Sequence, residues 1–160
     1  MKAHSFLNWH FFLSAPPVLP TTELTHVIQG DDAVTVKYRT DRGMDKVGAD
    51  GKMAMAISAD RSCEVSIKLQ QTSPSNKVLN DLLGVQNSGA AGFAPLQMLA
   101  QDNYRRDQWT GINGYIKTAP DIARGAGLND QEWVLVFEKL DLRLENSQFV
   151  GFATAQAEAT

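Results

Sequence analysis

The chain has 160 residues, 43% hydrophobic and 21% charged, which is enough for one domain with a real core, and its formal net charge of −3 implies no basic surface for gripping nucleic acid. The single cysteine, Cys63, rules out an intramolecular disulfide and fits a reducing compartment. His4, His10 and His26 are too scattered for a spaced metal motif, and no segment approaches the roughly 20 apolar residues of a membrane helix.

The N-terminal stretch KAHSFLNWHFFLSAPP has a lysine followed by aromatic and aliphatic residues. Asn8 and His10 interrupt that run and no small-x-small site follows it, so a first strand is favoured over a signal peptide. Phe6 and Leu7 lie near its start, and Pro16 and Pro17 end it. Further on, Val34, Val36 and Tyr38 alternate with Thr35, Lys37 and Arg39, a period of two that marks a strand with one buried face. Met53, Met55 and Ile57 alternate in the same way with Ala54, Ala56 and Ser58. After a short turn at Asp60 and Arg61, Cys63, Val65, Ile67 and Leu69 alternate with Glu64, Ser66 and Lys68. Three consecutive strands of this kind predict an antiparallel meander.

The period then changes. TSPSNKVLNDLLGVQ offers Ser73 as N-cap and Pro74 at the first helical position, where its missing N–H costs nothing. Val78, Leu79, Leu82 and Leu83 share one helical face and Gly84 is the expected stop, giving a helix over about 74–84. Asn87 to Phe93 is a hinge of small residues, Leu96, Met98 and Ala100 form a strand, and QDNYRRDQ a polar turn. WTGINGYIKT reads as a further strand, although its Asn113-Gly114 pair is also a tight-hairpin signal. PDIARGAGLND is a long loop. The strand EWVLVFEKLDLRL is apolar at every position from Trp133 to Phe137, which predicts cover on both faces, and then alternates from Leu140 through Leu142 and Leu144. The first 145 residues make one domain, and 146–160 is a C-terminal extension without a buried pattern. The class is mainly β: an antiparallel sandwich or barrel of roughly seven strands with one flanking helix.

No constellation of chemistry emerges. Starting at Asp41, DRGMDKVGADGK has acids at positions one, five and ten, but glycine at three and lysine at twelve, so an EF-hand coordination sphere cannot close. The same stretch lacks the phosphate-loop pattern, and no helix follows it. Cys63 falls on the apolar face of its strand and is read as core; Trp109 and Trp133 each open a hydrophobic strand and are read as core anchors. Arg105 and Arg106, flanked by Asp102 and Asp107, make a neutralised surface turn. Neither catalytic residues nor a metal or other cofactor is expected.

What remains is the segment from Arg39 to Lys52, too long for a tight turn and too charged for core. Arg39, Asp41, Arg42, Asp45, Lys46, Asp50 and Lys52 alternate in sign, which suits contacts with copies of the same protein. A solvated loop is the competing reading. Ala54, Ala56 and Ser58 form a small, flat face on which another molecule can pack, and Lys37 lies on a neighbouring strand.

The run MDKVGADGKMAMAISADRSCEVSIKLQQTSPSNKVLNDLL resembles the tail tube proteins of long-tailed bacteriophages, especially contractile-tailed ones. Its most specific pieces are V-G-A-D-G, Val47 to Gly51, and the T-S-P-S-N helix start, Thr72 to Asn76. IKTAPDIARGAGLNDQEWVLVFEKLD resembles the later part of that family, and the likeness covers about Phe6 to Leu144, departing between Gly89 and Arg106 and after Leu144. The resemblance implies a β-sandwich or barrel subunit. Six such subunits close into a ring, and rings stack into the hollow tail tube through which DNA is ejected. It implies that the hairpin reaches an adjacent subunit or ring, and that Lys37, Ala54, Ala56 and Ser58 face the lumen or a subunit interface. Sheath, baseplate or initiator, and tail terminator proteins are the implied partners. DNA passes without specific binding, no membrane is involved, and assembly takes place in the host cytoplasm before the protein resides in the virion tail. The rivals are a tube of a related injection or secretion machine and a small β-barrel ligand-binding module.

Overall fold

A computed structural model describes residues 5–28 and 30–144. Nine strands, one α-helix and two short 3-10 turns make up the described chain, so the fold is mainly β as expected. The strands are β1 (Trp9–Ala15), β2 (Leu19–Leu24), β3 (Val34–Tyr38), β4 (Gly43–Val47), β5 (Met53–Ile57), β6 (Cys63–Leu69), β7 (Leu96–Asp102), β8 (Gln108–Thr118) and β9 (Gln131–Arg143); the helix is α1 (Ser75–Asn87). Seven strands form one antiparallel sheet in the order β2-β1-β7-β8-β9-β6-β3, and β4 pairs only with β5. The order ends at β2 and β3 without closing, so the sandwich-like form of the expected architecture is the one observed.

The inward positions follow from the alternation. Phe11, Leu13 and Ala15 of β1, all four apolar residues of β6, Leu96, Met98 and Ala100 of β7, Trp109 and Ile116 of β8, and Trp133, Leu135 and Phe137 of β9 share one core with Leu79 and Leu82 of α1. Cys63, Trp109 and Trp133 are core residues, as the sequence reading had them. Val136 is buried too, on the opposite face of β9, whereas Val134 is half-buried, so cover on both faces holds at one position and only partly at the other. Leu142 and Leu144 are exposed whereas Leu140 is buried, so the last alternation buries only its first residue.

Several expectations are corrected. The three-strand meander does not form; β3 pairs directly with β6, Val36 opposite Val65, and residues 39–62 leave the sheet between them. The strand β2, which carries Pro20, and the strand β4 within the glycine-rich stretch bring the count above the expected seven. β1 starts at Trp9, after a 3-10 turn over Phe6–Asn8, and stops before Pro16 as anticipated. Gly84 does not end α1, which runs on to Asn87; helix boundaries depend on hydrogen bonds to the next turn, and a solvent-facing glycine leaves these intact. β8 runs through Asn113-Gly114 without a hairpin. Asn113 takes a left-handed φ of 52°, and its Nδ2 donates to Glu138 Oε2 at 2.8 Å on the neighbouring strand. The C-terminal extension at 146–160 lies outside the described residues, as do residues 1–4.

The T-S-P-S-N start of α1 ties the helix to distant chain. Ser73 Oγ accepts the Ser75 N–H at 3.2 Å while its own proton goes to the Thr25 carbonyl at 2.6 Å; the N-cap is Pro74, one residue later than expected, and it makes no side-chain capping bond. Ser75 Oγ accepts the Thr25 N–H at 2.9 Å. Asn76 Oδ1 accepts from Trp133 Nε1 at 3.0 Å, and its Nδ2 donates to the Gln70 carbonyl at 2.9 Å. Helix, β9 and the segment after β2 are thereby held in register by one short motif.

Candidate functional site

The hairpin β4–β5 is built around its turn. Gly48 N–H donates to the Lys52 carbonyl at 2.8 Å, and Gly51 N–H to the Gly48 carbonyl at 3.0 Å. Gly51 has a φ of +77°, the left-handed position that this kind of hairpin loop demands. Asp50 Oδ1 accepts the Lys52 N–H at 3.2 Å and fills the space beside Gly48, where an added Cβ would lie 2.7 Å from that oxygen. V-G-A-D-G is therefore turn chemistry. It brings Val47 opposite Met53, Asp45 opposite Met55, and Gly43 opposite Ile57.

Cross-strand partners share a face, so the hairpin has two unlike sides. One carries Val47, Met53, Met55 and Ile57 with Asp45 among them; the other carries Met44, Lys46, Ala54 and Ala56. Met53, Met55 and Ile57 are not core, as their alternation suggested: they are 65%, 59% and 73% exposed. The hairpin pairs with no strand of the large sheet, and none of its residues belongs to the core cluster. With Met44 and Val47 it presents five large apolar side chains to the surroundings.

At its base, Arg39 N–H donates to the Ser62 carbonyl and Ser58 N–H to the Arg42 carbonyl, at 3.2 and 2.8 Å. The Ser62 hydroxyl and then its N–H hold the Asp60 carboxyl below the ordinary aspartate value. Arg39, Asp41, Arg42, Asp45, Lys46, Asp50 and Lys52 all lie along this exposed arm, so the structure groups the predicted contact residues on one protruding element. Lys37 does not share their element: it sits on β3 in the large sheet, opposite Glu64. Ala54 and Ala56 are on β5, and Ser58 just beyond it.

The outer face of the large sheet is polar and internally compensated. One row runs Tyr115, Val136, Glu64, Lys37 across β8, β9, β6 and β3. Lys117 Nζ pairs with Glu64 Oε2 and Lys68 Nζ with Asp32 Oδ2, each at 3.0 Å. Lys68, by hydrogen bond and then by charge, holds the Asp32 carboxyl low, and Asp32 raises the Lys68 ammonium in return. Ser66 donates to Glu132 on β9. Sequence reading missed this network because its members are 36 to 66 residues apart.

The long β8–β9 loop, residues 119–130, exposes Ile122 and Leu128. At the β7–β8 turn, Asp102 Oδ1 accepts the N–H groups of Tyr104 and Arg105 at 2.8 and 3.2 Å. Among the described residues no group of three or more histidine, cysteine or acidic side chains is placed to hold a metal, and no helix is long and apolar enough to cross a membrane. What stands out is surface of the kind that other protein covers.

A family model described as Bacteriophage PhiTE tail tube protein matches residues 25–145. The chain is 27% identical over 135 residues to structural protein ORF10 of Pseudomonas phage KPP10, covering 82% of this chain and 78% of that protein. Its fold is similar to a chain in the sheath/tube terminator of the extracellular contractile injection system PVC, with a TM-score of 0.56, 11% identity and coverage of 89% and 98%. A chain of the PVC sheath-tube complex gives a TM-score of 0.51, 11% identity and coverage of 84% and 88%. One from the anti-feeding prophage baseplate gives 0.56, 10% identity and coverage of 92% and 99%.

Proposed function

The chain belongs to this family of phage tail tube proteins, structural components of the virion rather than a class of enzymes, and from that premise we propose that six copies close into a ring and that rings stack into the tube through which the genome leaves. The observation that carries this reading is the β4–β5 hairpin. Burying one large apolar side chain is worth about 1.5–3 kcal/mol, so an arm with five of them gains most when another protein covers it. The residues from Arg39 to Lys52 are the proposed inter-subunit and inter-ring contact.

Ring closure also suits the sheet. β2 and β3 are its two edges, and an open edge with unpaired backbone groups is protected when a neighbouring subunit supplies the next strand. The outer face of β3, β6, β9 and β8 is the surface we assign to the bore. Each phosphate contact would slow DNA on its way out, and here Lys117 is paired with Glu64, which also lies across from Lys37, and Lys68 is paired with Asp32. Genomic DNA then passes without specific binding. Lys37 faces the lumen in this arrangement, and Ala54, Ala56 and Ser58 line the lumen or a subunit interface. Sheath, baseplate or initiator, and terminator proteins are the partners at the outer wall and the two ends, and assembly takes place in the host cytoplasm.

Fold likeness to chains of contractile injection systems favours a second reading, a tube of such a machine without a capsid. The presence or absence of capsid genes beside the coding sequence separates the two. Negative-stain electron microscopy of the concentrated protein, beside a variant lacking residues 41–51, tests the assembly. Rings or hollow tubes from the parent and none from the variant are expected. Tubes from both would overturn the role given to the hairpin, and a parent that stays monomeric even with a baseplate seed would overturn the tube.

A further inference from the structure

Three of the chain's five methionines, Met44, Met53 and Met55, fall on the β4–β5 hairpin. They are 77%, 65% and 59% exposed, whereas Met98, packed into the core from β7, is 1% exposed. Met1 lies outside the described residues. A merely solvated strand is served by threonine or charged side chains; methionine supplies instead a flexible, polarizable apolar surface suited to contact with other protein.

The two faces of the hairpin use this residue differently. Met53 and Met55 share theirs with Val47 and Ile57, so that face is apolar apart from Asp45. Met44 lies on the other face, with Lys46, Ala54 and Ala56. A thioether has no proton to lose, so its reaction with a peroxide needs neither a base nor a lowered pKa, only access. Met53 and Met55 have that access and Met98 does not. Cys63, the chain's one thiol, is fully buried, and burial, which pushes it up to about 11, also keeps it neutral and unreactive.

We propose that Met53 and Met55 are a modification site for peroxides, and that their oxidation closes the apolar hairpin face to the protein that covers it. In each event the sulfur attacks one oxygen of the peroxide and the O–O bond breaks. That oxygen stays on sulfur, its proton passes to the other oxygen, and water leaves; the sulfur loses two electrons and the peroxide gains them. The sulfoxide carries a strong dipole that must be hydrogen-bonded or left in water, so a face that gains from burial becomes one that loses by it. Methionine sulfoxide reductases undo the change. The inference rests on the proposed function in taking a hairpin contact to drive assembly, whereas the chemistry on the free subunit does not depend on it.

Dilute hydrogen peroxide applied to the folded free subunit, followed by peptide mass mapping and negative-stain microscopy, tests it. Met53 and Met55 should convert at least about tenfold faster than Met98, in step with their exposure. The yield of rings or tubes should fall at least about tenfold with the circular dichroism unchanged, and treatment with the two sulfoxide reductases should restore it. Met53→Leu combined with Met55→Leu keeps the face apolar and should assemble normally after peroxide. Met44→Leu should stay as sensitive as the parent. Met53→Gln combined with Met55→Gln, polar like the sulfoxide, should fail to assemble without any peroxide. Oxidised parent that assembles as well as untreated protein would overturn the proposal and leave the tube reading standing. Loss of assembly in the oxidised double leucine variant would place the sensitivity elsewhere and overturn it too. Conversion of Met98 as fast as Met53 would mean that the fold opens as a whole, and counts against the site. An untreated parent that never assembles, even from a baseplate seed, sinks the tube reading and this inference with it.

Discussion

The ring of Phe137 occupies the space that a side chain on Gly114 would need: a Cβ there would lie 2.5 Å from Phe137 Cδ1 and 2.6 Å from Cε1. The two residues are register partners on β9 and β8, and Gly111 gives the same ring its second clearance, with a Cβ contact of 2.8 Å. Phe137 is fully buried, so it has no room to retreat. Asn113 lies between the two glycines in its left-handed conformation, and the inward-facing set changes parity there, from Trp109 and Gly111 to Gly114 and Ile116.

Gly114→Ala should therefore destabilise the fold by about 1–3 kcal/mol through overpacking. Urea denaturation checks this, and Gly114→Ala combined with Phe137→Leu should recover part of the loss. Equal loss in single and double variants would mean that the close approach of the Val136 carbonyl, 2.9 Å from the same Cβ, dominates instead.

Asn76→Ala removes the acceptor of the Trp133 indole N–H and the donor to the Gln70 carbonyl. Trp133 is buried, so its N–H has no water to turn to, and a loss of about 1–3 kcal/mol is expected in denaturant unfolding. Asn76→Asp keeps the acceptor and loses only the donor, and should fall between the parent and the alanine variant. An alanine variant as stable as the parent would show that the helix start does not depend on this bond.

Gly51→Ala places a side chain at φ +77° and should cost the hairpin about 1–2 kcal/mol. The hairpin pairs with no strand of the large sheet, so the global melting temperature should change little while the yield of assembled particles falls. Gly51→Asn, which tolerates the left-handed region, should assemble better than the alanine variant. A drop in melting temperature would show that the arm supports the domain rather than its contacts.

Burial pushes the Cys63 thiol up to about 11, against an ordinary value of 9.0. Below pH 9 the thiol is neutral in both folded and unfolded chains, and its contribution to stability is fully present. Between pH 9 and 11 only the unfolded chain ionises, so stability falls as pH rises through that window. Denaturation midpoints at pH 8, 9.5 and 11 should decline in that order, and Cys63→Ala should show a shallower decline from its lower starting point. Disulfide reagents at pH 8 should label Cys63 only after denaturant is added; rapid labelling of the folded chain would contradict its burial.

Much of the local structure was legible because it is written in short-range chemistry. The alternation of Cys63, Val65, Ile67 and Leu69 specified a half-buried strand, and the proline and serines before Asn76 specified a helix start. The same residues carry the family likeness. β2 escaped notice: Pro16, Pro17, Pro20 and two threonines obscure any apolar period, and only an edge strand tolerates such a sequence.

The exposed arm was half legible. The alternating charges from Arg39 to Lys52 marked an arm, and the structure places all seven of those residues on it. The arm's apolar face was misread, because Met53, Met55 and Ile57 alternate as faithfully as the core residues of β6 do.

By itself, then, the sequence determined most of the extended segments, though neither β2 nor β4, and the start of the helix to within a residue, since each depends on neighbours a few residues away. Only the tertiary structure decided that β3 pairs with β6, that Phe137 needs both glycines, and that the β4–β5 hairpin stands outside the core. A period of two says that a strand has two unlike faces; what covers each face is set by contacts between residues far apart in the chain.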